Sequence, residues 1–565
     1  MKTSNWILPI SLFAALLFGA CSDDDSSGNN NNTPDAGQPD SGIVLERQEC
    51  PGDPACPDTG DGVFYVGAAV VDITPDLKEG PSFEDVDGNA EYNKGTDTYT
   101  DSNGNNVFDA VWIAGFGSSR PAVGVHDPIE ARILAMRHNQ TTVVLVSADL
   151  IGFFYDHLLG LRERLSAQVA SEVDLVVWSS THNHEGPDMI GIWGRNLIES
   201  GLDAEYLAKV QQDVADGIGD ALAALEPAHV AHSATAVEHE DGDMTHLFAD
   251  GRDPVIINNT MNVMRFFRPG DGSTIATIVN LGTHPEVLWS DNMLITSDFP
   301  HYLRTAIEDG VPGRFEGLGG TAIYVQGTCG GLIGPGHVQP LDATGMPVTE
   351  PNTFEGAEAF GHGFAEFALS ALADPEVAVV ETSPTLGFRT REVFLRVDNF
   401  NYQAAYRLGI LSRALHNFDP SAYIDENNTP DLLSQLVYLR IGASSMITVP
   451  GELAPEVFIG CYDGSCSGGY PIIYPNNPNP PDLTAAPTGP FLREVLAGDG
   501  SAFQWLIGLG QDEVGYILPN FDFKVDPDSP YISSPPGDHY EETNSLGPRC
   551  HDQVVEPLTE LIQGN

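Results

Sequence analysis

Short apolar runs, mostly β-branched or aliphatic, alternate along this chain with longer polar stretches rich in Gly, Asp and Asn. Residues 63–73 (VFYVGAAVVDI) read as a strand closed by Thr74-Pro75, and residues 131–136 as a second. The run 142–148 (TVVLVSA) is apolar without alternation, as expected of a strand covered on both faces, and stops at Asp149. Leu158, Leu159, Leu161, Leu165 and Val169 then fall at helical spacing before the apolar run 174–179. Strand, helix, strand in that order predicts an α/β fold. An amphipathic helix is predicted over 204–225, with Asp203 as N-cap and Tyr206, Leu207, Val210, Val214, Ile218, Leu222 and Leu225 on one face. Further strand-like runs cover 274–281, 322–325, 385–397 and 444–449.

In α/β proteins the chemistry follows the ends of such strands. The run 174–179 ends in Ser180-Thr181-His182-Asn183-His184-Glu185-Gly186-Pro187. If the chain stays extended, His182 and His184 point to one face, a metal-ligand or acid/base arrangement. Leu281-Gly282-Thr283 leads into His284-Pro285-Glu286, with Ser297-Asp298 soon after, and Val449 leads into Pro450-Gly451-Glu452. Gln326-Gly327-Thr328-Cys329-Gly330-Gly331 is a glycine-rich turn without the Lys and Ser/Thr of a nucleotide loop, which points to close backbone approach to a ligand. The segment 508–517 ends in Tyr516-Ile517. Taken singly, His284 is also explained as a hydrogen-bonded core histidine, Glu452 as a cap or ion-pair partner and Tyr516 as packing.

At 565 residues the chain can bury a sizeable core. Its 25 basic and 80 acidic residues give a net charge of −55, which repels phosphate backbones and excludes nucleic acid as a partner. Lys2, an apolar segment over 6–18 and Gly19-Ala20-Cys21 read as a bacterial lipoprotein signal peptide (1–20) with lipidation at Cys21, anchoring the protein to a membrane of the cell envelope or surface. Ordinary secretion with cleavage nearby is the alternative. Residues 21–62 are Asp, Ser, Asn, Gly and Pro rich and are expected to form a disordered tether, leaving 63–565 as the folded domain. The spacing of the remaining cysteines suggests Cys50–Cys56 and Cys461–Cys466 bridges, and by elimination Cys329–Cys550.

Asp85, Asp87 and Asn89, and then Asp101, Asn103, Asn105 and Asp109, place oxygens at the spacing of a calcium loop. Asn106 stands where the left-handed turn is needed, and Trp112 replaces the usual closing Glu. The second run is the candidate Ca2+ site, with a solvated acidic loop as the alternative.

The ordered set of motifs resembles the neutral/alkaline non-lysosomal ceramidase family, over its N-terminal catalytic domain. The resemblance runs from Val66-Gly-Ala-Ala-Val-Val-Asp-Ile-Thr-Pro75 through Gly124-Val-His-Asp-Pro-Ile-Glu-Ala-Arg132, the His182 motif, His284-Pro285, Ser297-Asp298, Pro450-Gly-Glu452 and Tyr516. It implies a mixed-sheet, layered catalytic domain and a zinc ion held by His182, His284, Glu452 and Tyr516. With those ligands goes an exported amidohydrolase that cleaves an N-acyl, ceramide-like lipid by attack of metal-bound water, with His184 and Tyr516 as catalytic groups. The chain ends shortly after the matched region, so the family's C-terminal immunoglobulin-like domain is expected to be missing. One departure counts against full equivalence. The family's serine-bearing Gly-Asp-x-Ser-Pro turn corresponds here to Gly330-Gly331-Leu332-Ile333-Gly334, without Asp or Ser. A ceramidase-like surface lipoprotein that binds a lipid or glycan is therefore the competing reading, and a hydrolase of phosphate or sulfate esters a weaker third.

Overall fold

A computed structural model describes residues 43–52, 56–333, 338–537 and 539–564. The signal peptide, Cys21, most of the acidic tether and Gly334 lie outside the described residues. Three five-stranded mixed sheets dominate the described chain, and each is built the same way. In the first, Phe64–Asp72, Glu130–His138 and Thr141–Ala148 form an antiparallel meander, and Leu175–Ser180 returns parallel to the third strand after the helix Tyr155–Arg164. The second repeats this with His229–Ala236, Thr260–Phe267, Thr274–Leu281, the helix Phe299–Asp309 and the parallel strand Thr321–Gln326. The third uses Leu386–Arg396, Asp431–Ile441, Ser444–Thr448, the helices Pro455–Ile459 and Leu492–Ala497, and the parallel strand Phe503–Ile507. A parallel return needs such a crossover, which explains a helix at the same place in every unit.

The fifth strand of each sheet comes from elsewhere. Glu226–Pro227, which leads into the second unit, pairs with the first sheet, and Val379–Glu381, which leads into the third, pairs with the second. Arg47–Cys50, which leads into the first unit, pairs antiparallel with Leu386–Arg396 of the third sheet. The three units are thus joined in a closed ring of exchanged strands. This corrects the tether expectation, because part of the polar segment before residue 63 is an edge strand held by ladder bonds and the Cys50–Cys56 disulfide.

Alternation along the strands sorts side chains between two layers. Val143, Leu145, Leu175, Val177, Met264, Ile278, Val325, Phe388, Leu439, Met446 and Trp505, from all three sheets, meet in one central core. The opposite faces carry helices: Val144 and Val146 pack with Val210, Val214 and Ile218 of Ala204–Ala223. Phe354–Ala373 covers the second sheet and Arg549–Gln563 the third in the same way. Asp203 caps Ala204–Ala223 by accepting from the Glu205 and Tyr206 amides, as its position predicts. The helix read through Val169 is broken at Leu165, whose ψ of 133° is extended, into Tyr155–Arg164 and Ala167–Ala170.

The Cys461–Cys466 bridge forms as spaced, whereas Cys329 and Cys550 are separate buried thiols. Elimination fails because Cys550 lies in the helix Arg549–Gln563 with the outer core of the third sheet, and Cys329 in the turn after Thr321–Gln326. No helix among the described residues is long and apolar enough to cross a membrane.

His157, on Tyr155–Arg164, is buried between Phe153 and Phe154 with its Nδ1 lacking a hydrogen-bond partner. Burial, then the nearby Arg413 charge, hold its pKa down at about 4. Because the unfolded chain takes up that proton near 6.5 and the folded one does not, stability should fall as pH drops from about 6.5 to about 4, by up to about 3 kcal/mol. Urea midpoints measured across that range are expected to shift less in H157Q than in the parent protein.

Candidate metal centre

All three units send side chains from the carboxyl ends of their third or fourth strands to one place. His182 and His184 follow Leu175–Ser180, His284 follows Thr274–Leu281, and Cys329 follows Thr321–Gln326. Glu452 follows Ser444–Thr448, and Tyr516 comes after Phe503–Ile507. Glu452–Leu453 and Tyr516–Ile517 pair in parallel with Glu452 opposite Tyr516, which puts the two side chains next to each other.

The histidine pair converges differently from the extended-strand expectation. The strand ends at Ser180, where its partner Thr141–Ala148 also runs out, and His182 adopts a left-handed φ of 65°. The amides of His182 and Asn183 both donate to the Leu150 carbonyl, so the chain turns and brings the rings together by a bend instead of by alternation. The ring centroids of His182, His184 and His284 lie 4.7 to 5.4 Å apart, and one nitrogen from each falls within 4.8 Å of the others.

Hydrogen bonds fix the tautomers. His182 Nδ1 lies 2.8 Å from the Ile151 carbonyl and His284 Nδ1 lies 2.8 Å from the Leu332 carbonyl. A carbonyl only accepts, so in each ring the proton is on Nδ1 and the neutral form turns a lone pair outward at Nε2. Both Nε2 atoms face the same oxygen, Glu452 Oε2, at 3.3 Å and 3.0 Å. Lone pairs meeting a carboxylate repel unless a proton or a cation lies among them. Burial pushes the Glu452 carboxyl up, and it is positive charge on the imidazole side, a proton on Nε2 or a cation in its place, that holds the group well below the usual carboxylate range. Backbone-oriented imidazoles whose Nε2 atoms converge on a buried carboxylate are a donor set compatible with a metal ion.

His184 is buried, and neither ring nitrogen has a hydrogen-bond partner, although Glu286 Oε2 lies 3.4 Å from Nδ1. Burial first, and then His182 and His284, push its pKa well down, so the ring is neutral. The ring sits against Gly115, whose missing Cβ would lie 2.4 Å from it, and beside Phe116 at 5.1 Å. Phe116 in turn packs on Trp289 at 5.0 Å. Burial raises Glu286 to about 8 and pushes Tyr516 well up, the latter helped by the Glu452 charge. The Tyr516 hydroxyl lies 3.0 Å from that of Tyr540.

The residues beneath the centre carry less obvious sequence signals. Gln326 Nε2 donates to the carbonyls of Thr181 and Thr283, tying the two histidine loops together. Gln511 accepts from the Trp178 amide and returns its own amide to the Trp178 carbonyl, tying the first unit to the third. Ser297 and Asp298 do not join the ligand group: Ser297 Oγ donates to Asp149, which pairs bidentately with Arg304, and Asp298 caps Phe299–Asp309. A buried Arg120 bonds the His184 carbonyl and lies 3.3 Å from Glu185. Side-chain amides inside strand ends look like packing in one sequence, and only pairing across units shows their role.

The calcium run lies on an exposed loop. Asp101 accepts from the amides of Gly104, Asn105 and Asn106, and Asn106 is left-handed at φ 59° as its place in the loop predicts. The side-chain nitrogens of Asn103 and Asn105 both donate to Asp109 Oδ2. Asp85 and Asp87 instead come together with Asp97.

Replacing Arg120 by Met should cost about 3–5 kcal/mol, the usual penalty for stranding one member of a buried ion pair, here Glu185. Adding E185Q should recover only part of that loss in denaturant melts, because it removes the stranded carboxyl while the Ala114 and His184 carbonyls that Arg120 bonds stay unpaired.

No known family model matches this sequence, and comparison with curated proteins gave no match. Solved structures do match. The neutral ceramidase from Pseudomonas aeruginosa superposes with a TM-score of 0.57 at 16% identity, covering 88% of this chain and 74% of that one. A structure described as a ceramidase complexed with C2 gives a TM-score of 0.58 at 15% identity, covering 88% and 75%. The mixed α/β architecture is therefore that of the bacterial neutral ceramidases, as the order of motifs along the chain implies.

Proposed function

We propose that this protein is an exported, zinc-dependent hydrolase that cleaves an amide bond of an N-acyl, ceramide-like lipid. The observation that carries the reading is the convergence of His182 Nε2 and His284 Nε2, each ring held from behind by a backbone carbonyl, on one oxygen of Glu452. His182, His284 and Glu452 would hold the metal, with Tyr516 beside them. A zinc ion there supplies Lewis acidity, lowering the pKa of water to roughly 7 and polarising a carbonyl. The chain's own residues do the rest. His184, buried and without a hydrogen-bond partner, is placed to donate to an oxyanion or a leaving nitrogen, and the Tyr516 hydroxyl to share the developing negative charge. Phe116 and Trp289 offer an apolar ridge beside His184 suited to an acyl chain.

The competing reading, a lipid- or glycan-binding lipoprotein without catalysis, is favoured by one observation. The family's serine position is Ile333, whose side chain packs over Gly251, where a Cβ would lie 2.8 Å from it. Assay of the metal-replete full chain on N-acyl amines and esters separates the two. The hydrolase reading expects acid release that is abolished by chelation and by H182A, and reduced about 10²–10³-fold by H184A, the usual cost of one oxyanion donor. Absence of turnover in the parent, identical to H182A, removes it. Gain of activity only in I333S favours the binding reading. Installing Asp at Gly331 is a poorer probe, because its φ is 86° and a Cβ would lie 2.8 Å from Asp250 Oδ1.

Lipidation of Cys21 and anchoring to a membrane are proposed with the same reading. Labelled fatty acid should enter the parent and not C21S. For the loop of Asp101, Asn103, Asn105 and Asp109 we propose Ca2+, for which micromolar to millimolar calcium should raise the melting temperature of the parent more than that of D101N.

A further inference from the structure

The altered turn carries a buried thiol that the disulfide expectation had assigned elsewhere. Cys329 is 0% exposed, and its sulfur forms a group with a nitrogen of His284 and an oxygen of Glu452 in which all ligand atoms fall within 4.8 Å of one another. Its position is over-determined by backbone on both sides. A Cβ on Gly330 would lie 2.7 Å from the Glu452 carbonyl oxygen and 2.8 Å from the Ala454 amide, and the Gly330 amide donates to Leu453 at 3.1 Å. A Cβ on Gly282, in the loop leading to His284, would lie 2.2 Å from the Thr328 carbonyl oxygen. The turn is clamped between the His284 loop and the Glu452 strand, and Leu332 in the same turn orients His284 through its carbonyl.

We infer that Cys329 is a thiolate ligand of the ion held by His182, His284 and Glu452, an inference that rests on the metal-hydrolase reading above. The thiol gives up its proton to solvent as the sulfur–metal bond forms, so metal uptake releases a proton. Zinc takes a thiolate at about 2.3 Å beside imidazole and carboxylate, and sulfur biases the site toward zinc or cobalt over magnesium or calcium. Tyr516, its hydroxyl within hydrogen-bond distance of Tyr540, is then left for the developing charge. The turn that lacks the family's serine would thus contribute a metal ligand in its place.

The full chain with intact disulfides, loaded with Co2+ in the absence of added thiols, tests this. A near-ultraviolet sulfur-to-cobalt charge-transfer band is expected, retained in C550S and lost in C329S. Metal affinity of C329S should fall at least as far as the roughly 10–100-fold that loss of an outer-shell partner costs. X-ray absorption of the zinc-loaded parent reports the same bond without any variant, so a misfolded C329S leaves the question decidable. A shell of nitrogen and oxygen alone around a bound, hydrolytically competent metal overturns this inference and leaves the hydrolase reading standing. A sulfur-ligated metal without hydrolysis overturns the hydrolase reading alone, and failure to bind stoichiometric metal overturns both.

Discussion

Two imidazole Nε2 atoms converge on a single buried carboxylate oxygen, an arrangement that needs a proton or a cation among them, and much of the structure holds it in place. His182 and His284 cannot rotate away, because Nδ1 of each is committed to a backbone carbonyl. Glu452 cannot withdraw, because its backbone lies under the glycine turn on one side and pairs with the Tyr516 strand on the other. Such a set is stable when a cation neutralises it, and a preformed site of that kind lowers the cost of ordering ligands on binding.

The ring of three units is what makes this enforcement possible. One unit supplies His182 and His184, another His284 and Cys329, and the third Glu452 and Tyr516, so no unit contains the centre by itself. Strand exchange around the ring and the shared central core fix the units against each other. Gln326 and Gln511 then set the registration near the centre, each bonding backbone of a neighbouring unit. The buried ion pairs Asp149–Arg304 and Arg120–Glu185 lie in the same region. Such pairs return little net stability after desolvation, and their value here is positional, holding the histidine loop and the start of Phe299–Asp309.

The turn after Thr321–Gln326 is wedged between the loop that carries His284 and the strand that carries Glu452. Its glycines permit close approach to the Glu452 and Gly282 backbones, and its Leu332 carbonyl orients the His284 ring. Its side chains diverge, with Ile333 turned onto Gly251 and Cys329 toward His284 and Glu452.

The sequence by itself determined the elements. Apolar runs with period two or none, and the stripe from Tyr206 to Leu222, locate strands and a helix because burial of a face is a local property of the pattern. It also pointed to strand ends as the places for His182, His284 and Glu452. Tertiary structure alone decided how those places meet. The bend at His182, the pairing of Arg47–Cys50 with a strand more than three hundred residues later, the separation of Cys329 from Cys550 and the bridging by Gln326 and Gln511 all depend on contacts between distant segments. No local pattern encodes such contacts, because the free energy that selects them is gained only when the three sheets close on one core.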